Sequence, residues 1–169
     1  MKKTTNKLQE LGKLVTQHTP EGGGMQTSLS NLVLFRSSEG QPRQHEVYGA
    51  YLLILVQGEK RLHIGGQRYD YKAGDYLAVF MPMLLEAERA EVSQDKPYLM
   101  VCIEVDLGRI ANLLLKLDTL TPSQLPAESS NATGFHMAPM SDHLLDPVIR
   151  LLQTLGNPSD IAILGESIV

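Results

Sequence analysis

Two short runs constrain this 169-residue chain more than any other feature: "YLLILV" at 51–56 and "YLMVCIEV" at 98–105. Each is apolar at nearly every position. A strand turns successive side chains to opposite faces, so both faces of these strands must be withdrawn from water. One face can point into a barrel, where side chains either fill the interior or line a pocket for a small molecule. The other face needs a cover of helices or a partner chain.

The rest of the central region agrees with a barrel. From Leu32 to Asp106, short apolar runs are separated by turn signals. "LVLFRS" reads as a strand and "SEGQPRQ" as a turn. "EVYGAYLLILVQ" reads as one long strand in which Gly49 marks a bulge or bend. "GEK" is a hairpin-like turn into "RLHIG", "GGQ" another into "RYDY", and "KAGD" leads into "YLAVFMP". "LLEAERAEV" alternates, "SQDKP" turns, and "YLMVCIEVD" closes the series. About seven or eight strands with no helix between them predict an antiparallel sandwich or barrel.

The flanks have helical periodicity. Leu8, Leu11, Leu14 and Val15 form one stripe in "KLQELGKLVTQ" at 7–17. Asp106 can cap "LGRIANLLLKL", in which Ile110, Leu113, Leu114 and Leu117 share a face. Residues 118–140, rich in Pro, Ser, Thr and Asn, read as a long irregular connection. Asp146 then caps "PVIRLLQTL", with Pro147 in its first position and Gly156 as its stop. "NPSDIAILGESIV" resembles a further capped start, with Ser159 or Asp160 at the cap. Because the chain ends inside that apolar run, we expect it to be part of something longer. The expected organisation is an N-terminal arm and helix at 1–31, a mainly β barrel at 32–106 and a helical segment at 107–169.

Charge and motifs narrow the function by exclusion. The formal net charge is −4, and the one basic cluster, Lys2, Lys3, Lys7 and Lys13, is thin. These residues alone are therefore not expected to grip nucleic acid, which demands a basic patch. The single Cys102 excludes a disulfide within the chain. Neither a signal-peptide core nor an apolar run of membrane-spanning length is found, so a cytoplasmic protein with no membrane partner is expected.

Gly22–Gly24, in "HTPEGGGMQT", lack what a phosphate loop needs. Met25 and Gln26 stand where a lysine and a hydroxyl residue would follow, and a helical pattern precedes in place of a strand. They read as a flexible connector. His18, His45, His63, His136 and His143 show no HxH or HxxxH spacing, so no metal site is expected. His63 alternates with Leu62 and Ile64 and so faces the side opposite to theirs. With no GxSxG elbow and no reactive Cys–His pattern, no catalytic residues and no cofactor are assigned. Glu86 and Glu88 share one strand face opposite Leu85 and Ala87, which fits a solvated sheet face better than an acid–base pair.

The aromatics Tyr48, Tyr51, Tyr69, Tyr71, Tyr76 and Phe80 concentrate in the barrel region, which suits a pocket with polar tips, although a filled core fits the composition equally well. The candidate pocket residues are polar or aromatic side chains on barrel strands, with one methionine: Arg36, Tyr48, Arg61, His63, Tyr69, Phe80 and Met83.

Several linked segments, in order, resemble the N-terminal domain of AraC-type transcriptional regulators. They are "LGKLVTQHTPEGGGMQTSLSNLVLFRSS" at 11–38, "LLILVQGEKRLHIGGQRYDYKAGDYLAVFMPM" at 52–83, "KPYLMVCIEVDLGRIANLL" at 96–114 and "LLDPVIRLLQTLGNPSDIAIL" at 144–164. The resemblance spans roughly residues 8 to 164. Ser30 and Asn31 stand where the family commonly has a proline. Gln57, Gly58 and Lys60 complete a family motif that reads as turn architecture, not as ligand contacts.

The resemblance implies a cupin-like antiparallel barrel of jelly-roll type followed by helices. It also implies a sensing and dimerising role, with a small-molecule effector and a homodimer as partners. In the family, DNA is bound by two helix-turn-helix units that follow this region. Residues 107–169 cannot stand in for them, carrying Arg109, Lys116 and Arg150 against six acidic side chains. Dimer contacts are expected from Ile110, Leu113, Leu114 and Leu117, or from the helix at 147–155. A cupin-type enzyme and a purely structural dimerisation module are the alternatives.

Overall fold

The computed structural model describes residues 2–20, 22–89, 92–120, 134–157, 159 and 161. Helix α1 (Lys2–His18) leads into β1 (Gly23–Gln26) and β2 (Leu32–Ser37). Then follow β3 (Gln41–Tyr48), β4 (Tyr51–Gln57), β5 (Glu59–Ile64), β6 (Gln67–Lys72), β7 (Asp75–Val79), β8 (Met83–Arg89) and β9 (Tyr98–Glu104). The chain continues through α2 (Leu107–Leu120), β10 (Phe135–Pro139) and α3 (Asp142–Thr154). Among the described residues two antiparallel sheets result, one ordered β1-β2-β9-β4-β7-β10 and the other β3-β8-β5-β6. This is the cupin-like barrel, with a helix before it and helices after it.

The doubly apolar strands β4 and β9 lie at the centre of the larger sheet, and their alternation separates two cores. Ile54, Val56, Leu99 and Val101 face outward with Leu32 and Leu34, where α1 and α3 cover them with Leu11, Val15, Leu145, Val148, Ile149 and Leu152. Leu53, Leu55 and Tyr98 face inward, to Leu62, Tyr71, Leu77, Val79, Leu85 and Ala87. Each fully buried leucine contributes about 1.5–3 kcal/mol. The helical cover is pinned at its edge by Lys7, whose Nζ lies 2.6 Å from Asp146 Oδ1, and by Gln153, which donates to Glu10 Oε1 at 3.1 Å.

The structure corrects several boundaries. The stretch expected as one long strand divides at Gly49, with β3 in the smaller sheet and β4 in the larger. "GEK" is not a hairpin turn, since β4 and β5 also lie in different sheets. Gly58 makes that corner with φ +95°, and a Cβ there would stand 3.1 Å from Tyr98 Cδ2. A strand continuing past such a corner is cut by sheet closure, which local alternation does not report.

Helix α3 begins at Asp142, five residues before Pro147. The buried set Leu145, Val148, Ile149 and Leu152 keeps helical spacing through the proline, and that packing outweighs the proline's preference for the first position. Ser141 occupies the N-cap without a side-chain cap bond. In the next helical start, Asn157 accepts the Ser159 N–H through Oδ1 at 3.1 Å. Part of the expected irregular connection is the strand β10, paired with β7, while residues 121–133 lie outside the described set.

The glycine segment is also more ordered than a flexible connector. Gly23 and Gly24 belong to β1, paired with Arg36 and Phe35 of β2. Gly22 and Gly23 have φ +76° and +80°, the left-handed region that only glycine enters freely. Thr19 anchors the turn: it is buried, its hydroxyl donates to Val15 O at 2.7 Å, and its carbonyl accepts from Arg36 at 3.3 Å.

Candidate functional site inside the barrel

Alternation places an unexpected set of side chains on the inward faces. In β5 the inward set is Lys60, Leu62 and Ile64, and in β8 it is Leu85, Ala87 and Arg89. Glu46 and Tyr48 of β3 face the same interior. Lys60 and Arg89 are direct cross-strand partners, as are Gln41 and Arg89. Phe35 of β2 and Tyr98, Met100 and Cys102 of β9 complete the wall.

Lys60 is only 4% exposed. Its Nζ donates to Glu46 Oε2 at 2.7 Å and to the Tyr48 hydroxyl at 2.8 Å, while Gln41 Nε2 donates to Glu46 Oε1 at 2.6 Å. Burial pushes the Glu46 carboxyl up, but the Lys60 charge and the hydrogen bonds from Lys60, Gln41 and Tyr48 together hold it below its ordinary value. Burial lowers Lys60, against the pull of Glu46 and with the help of Arg89. Tyr48 and Tyr98 are raised by burial, and burial pushes the Cys102 thiol up to about 12, with Lys60 opposing.

Arg89 is held differently. Its guanidinium carbon lies 5.0 Å from the centre of the Phe35 ring and 5.3 Å from that of Tyr98. The two rings meet edge to face at 6.0 Å and 77°. Its Nε is buried and has no hydrogen-bond partner among the described residues. Burying such a donor unpaired costs about 1–3 kcal/mol, a cost that needs a compensating reason.

Water reaches this interior. Met100 and Cys102 sit on β9 between β2 and β4 with inward side chains, yet both are only partly buried. The sheet closes the outer side, so the exposure of these two residues comes from inside the barrel.

The residues expected to form a pocket fall in different places. Tyr48, Tyr69 and Met83 face the interior, and Tyr48 joins the charged cluster. Tyr69 meets Phe135 edge-on at 5.2 Å and donates to Gln67 at 2.8 Å. Arg36 lies on the outward face beneath α1, beside a groove of about 830 Å³ that Lys13, Gln57 and Asp95 also line. Arg61 and His63 face outward on the smaller sheet, 3.3 and 3.7 Å from Glu88 Oε1. Phe80 follows β7 and is 49% exposed.

Glu86 and Glu88 lie on that outer face, as their alternation predicts. Glu86 pairs with Arg43, whose hydrogen bond holds its carboxyl below the ordinary value. Among the described residues, no group of three His, Cys, Asp or Glu side chains is placed to hold a metal ion. Sequence reasoning missed Lys60, Glu46 and Arg89. Their signal was the parity they share with Leu62, Tyr48 and Ala87.

Outside the barrel, a second groove of about 410 Å³ runs between the larger sheet and α3, lined by Leu52, Tyr76, Ile103, Leu144 and Leu151. On α2, Leu107, Ile110, Leu113 and Leu115 are 43, 38, 59 and 66% exposed. The side chains of Leu114 and Leu117 lie outside the described residues. The stripe of α3 is buried against α1 and the sheet. Among the described residues, no helix is long and apolar enough to cross a membrane.

The comparisons with known proteins give a family. No curated protein matches the sequence significantly. Among solved structures, the chain is similar to ToxT from Vibrio cholerae, at 10% identity and TM-score 0.47, over 73% of this chain and 46% of that one. An unsaturated fatty acid bound form of ToxT matches at 6% identity and TM-score 0.46, over 80% and 48% of the two chains. A cupin protein from Bacteroides fragilis matches at 19% identity and TM-score 0.35, over 52% and 80%. The chain thus spans about half the length of the ToxT chains it matches. The family model for the AraC-type transcriptional regulator N-terminus matches residues 28–169. The chain belongs to the family of AraC-type transcriptional regulator N-termini.

Proposed function

We propose that this chain is the effector-binding and dimerising part of a transcription regulator, with no enzymatic activity of its own. The observation that carries the reading is the barrel interior, which is reached by water and holds a charged cluster among aromatic and thioether side chains. A barrel built only for stability would fill this space with hydrocarbon. A small molecule there contacts β2, β3, β5, β8 and β9 together, and so can favour one arrangement of the domain over another. DNA binding then belongs to a C-terminal part of the regulator outside these residues, and the working location is the cytoplasm.

Dimer contacts are assigned to α2. Its exposed Ile110 and Leu113 stand one helical turn apart, whereas the α3 stripe is already buried within the chain. Leu114 and Leu117 extend the same sequence stripe.

A thermal-shift screen of small metabolites, followed by backbone NMR, tests the pocket. We expect at least one compound to raise the melting temperature and to perturb Met100 and Cys102. If all binders map to the groove beneath α1, or if none is found, the pocket reading is wrong. Light scattering after gel filtration tests the dimer. The unmodified chain is expected to be dimeric and Leu113→Asp a folded monomer; a monomeric unmodified chain removes α2 from this role.

A further inference from the structure

Among the described residues, the interior cluster contains two cations and one carboxylate. Glu46 is bonded to Lys60 and Gln41, and among the described residues no acid is paired with Arg89. The other buried carboxylate, Asp75, accepts the Lys72 backbone N–H at 3.2 Å in the β6–β7 turn. Among the described residues, it pairs with neither cation. Among the described residues, the groups around Arg89 and Lys60 therefore carry an excess of one positive charge in a partly buried site. Such an excess is unfavourable in an empty site and is relieved by one bound negative charge.

The geometry narrows the anion further. The Arg89 guanidinium lies against the rings of both Phe35 and Tyr98, and its Nε–H is a donor left without an acceptor among the described residues. A planar two-oxygen acid can take an Nε–H and a terminal N–H of a guanidinium side by side, whereas a single oxygen cannot. One unit of excess charge suits a monoanion better than a dianionic phosphate group. Beyond the cations, the inward wall of β9 continues with Met100 and Cys102, both partly accessible and apolar in character, since the thiol is held protonated.

We propose that the barrel takes a monocarboxylate with an apolar body, its acid group seated against Arg89 and Lys60 and its body along Phe35, Met100 and Cys102. This inference rests on the reading of the barrel as an effector pocket and adds the chemical class of the effector. Because Lys60 remains bonded to Glu46, Arg89 is the primary anchor and Lys60 supplies field.

The test is a matched panel of straight-chain and aromatic monocarboxylates, from acetate to dodecanoate together with benzoate and phenylacetate, each measured beside its own primary amide. The readouts are thermal shift and chemical-shift perturbation on the 169-residue chain. The proposal expects at least one acid to stabilise the chain and to perturb Phe35, Met100 and Arg89, with its amide at least tenfold weaker. Arg89→Met should remain folded by its NMR spectrum and lose that preference, binding acid and amide alike. Arg89→Lys, which keeps the charge but not the fork, should recover only part of it. If acids and amides bind the interior equally well, the charge assignment fails and the pocket stands. If acids bind only outside the barrel, or no member of either series binds, the proposal fails, and in the latter case the pocket reading is weakened with it.

Discussion

The two faces of β4 and β9 belong to the same strands yet bury opposite chemistries. The outward face, under α1 and α3, is closed by leucine, valine, isoleucine and methionine, and its fully buried members carry no titratable group. The inward face shares its space with Lys60, Glu46, Arg89, Cys102 and three tyrosines raised by burial. One core is a hydrocarbon contact that fixes the helices. The other is a polar interior that water enters. The difference teaches that burial alone does not assign a role. The outer core holds the fold together, and the inner one retains groups that a purely structural core would lack.

Base should show the largest difference. Tyr48, Tyr71 and Tyr98 all face inward, and burial holds their folded-state values well above the ordinary one. An unfolded phenol ionises near pH 10. The stability these groups contribute is therefore fully present below that pH and is lost as pH rises above it. Three such groups cost about 4 kcal/mol per pH unit while only the unfolded chain ionises. Denaturant melts between pH 8 and 12 should collapse above pH 10, and phenolate absorbance should appear with unfolding. A flat profile would mean that the inner face is open to water throughout.

Leu152→Ala acts on the other face only. Leu152 is fully buried beneath α1, and the substitution should lower stability by about 3–4 kcal/mol in urea melts at pH 7. Interior ligand binding should survive wherever the variant is folded. Lys60→Met comes next, at about 2–3 kcal/mol, because it strands a partly buried Glu46. Adding Glu46→Gln should restore most of that loss, whereas additive losses in the double-mutant cycle would deny the coupling.

Gly22→Ala forces a side chain into the left-handed region and should cost about 1–2 kcal/mol. Gly24→Ala, with an ordinary backbone conformation and space beside Phe35, should cost little. Equal effects would return the segment to the status of a loose joint.

Much of this division was legible in the sequence. Apolar residues at successive positions of "YLLILV" and "YLMVCIEV" required a cover of helices or a partner chain outside and either a filled core or a pocket inside, and α1 and α3 supply the cover. The solvated face of Glu86 and Glu88 was also readable from alternation. The site was less legible, for a specific reason. Side-chain type suggested Arg61 and His63, while parity with Leu62 put Lys60 inside and both of them outside. Arg36 fails the same way, since it shares a face with Leu32 and Leu34 beneath α1. Sheet switching at Gly49 and Gly58 was hidden because it depends on barrel closure, not on any local preference. The charge excess needed coordinates, because the distances among Lys60, Glu46 and Arg89 join strands far apart in sequence.

The central claim is that the inner face is kept for recognition and the outer face for stability, and Arg89→Met tests it most directly. Methionine keeps contact with Phe35 and Tyr98 and removes a buried, unpartnered donor. In urea unfolding of the ligand-free chain at pH 7, the account predicts a stability within about 1 kcal/mol of the unmodified protein. A loss as large as that of Leu152→Ala would show Arg89 to be part of the scaffold and would contradict the account.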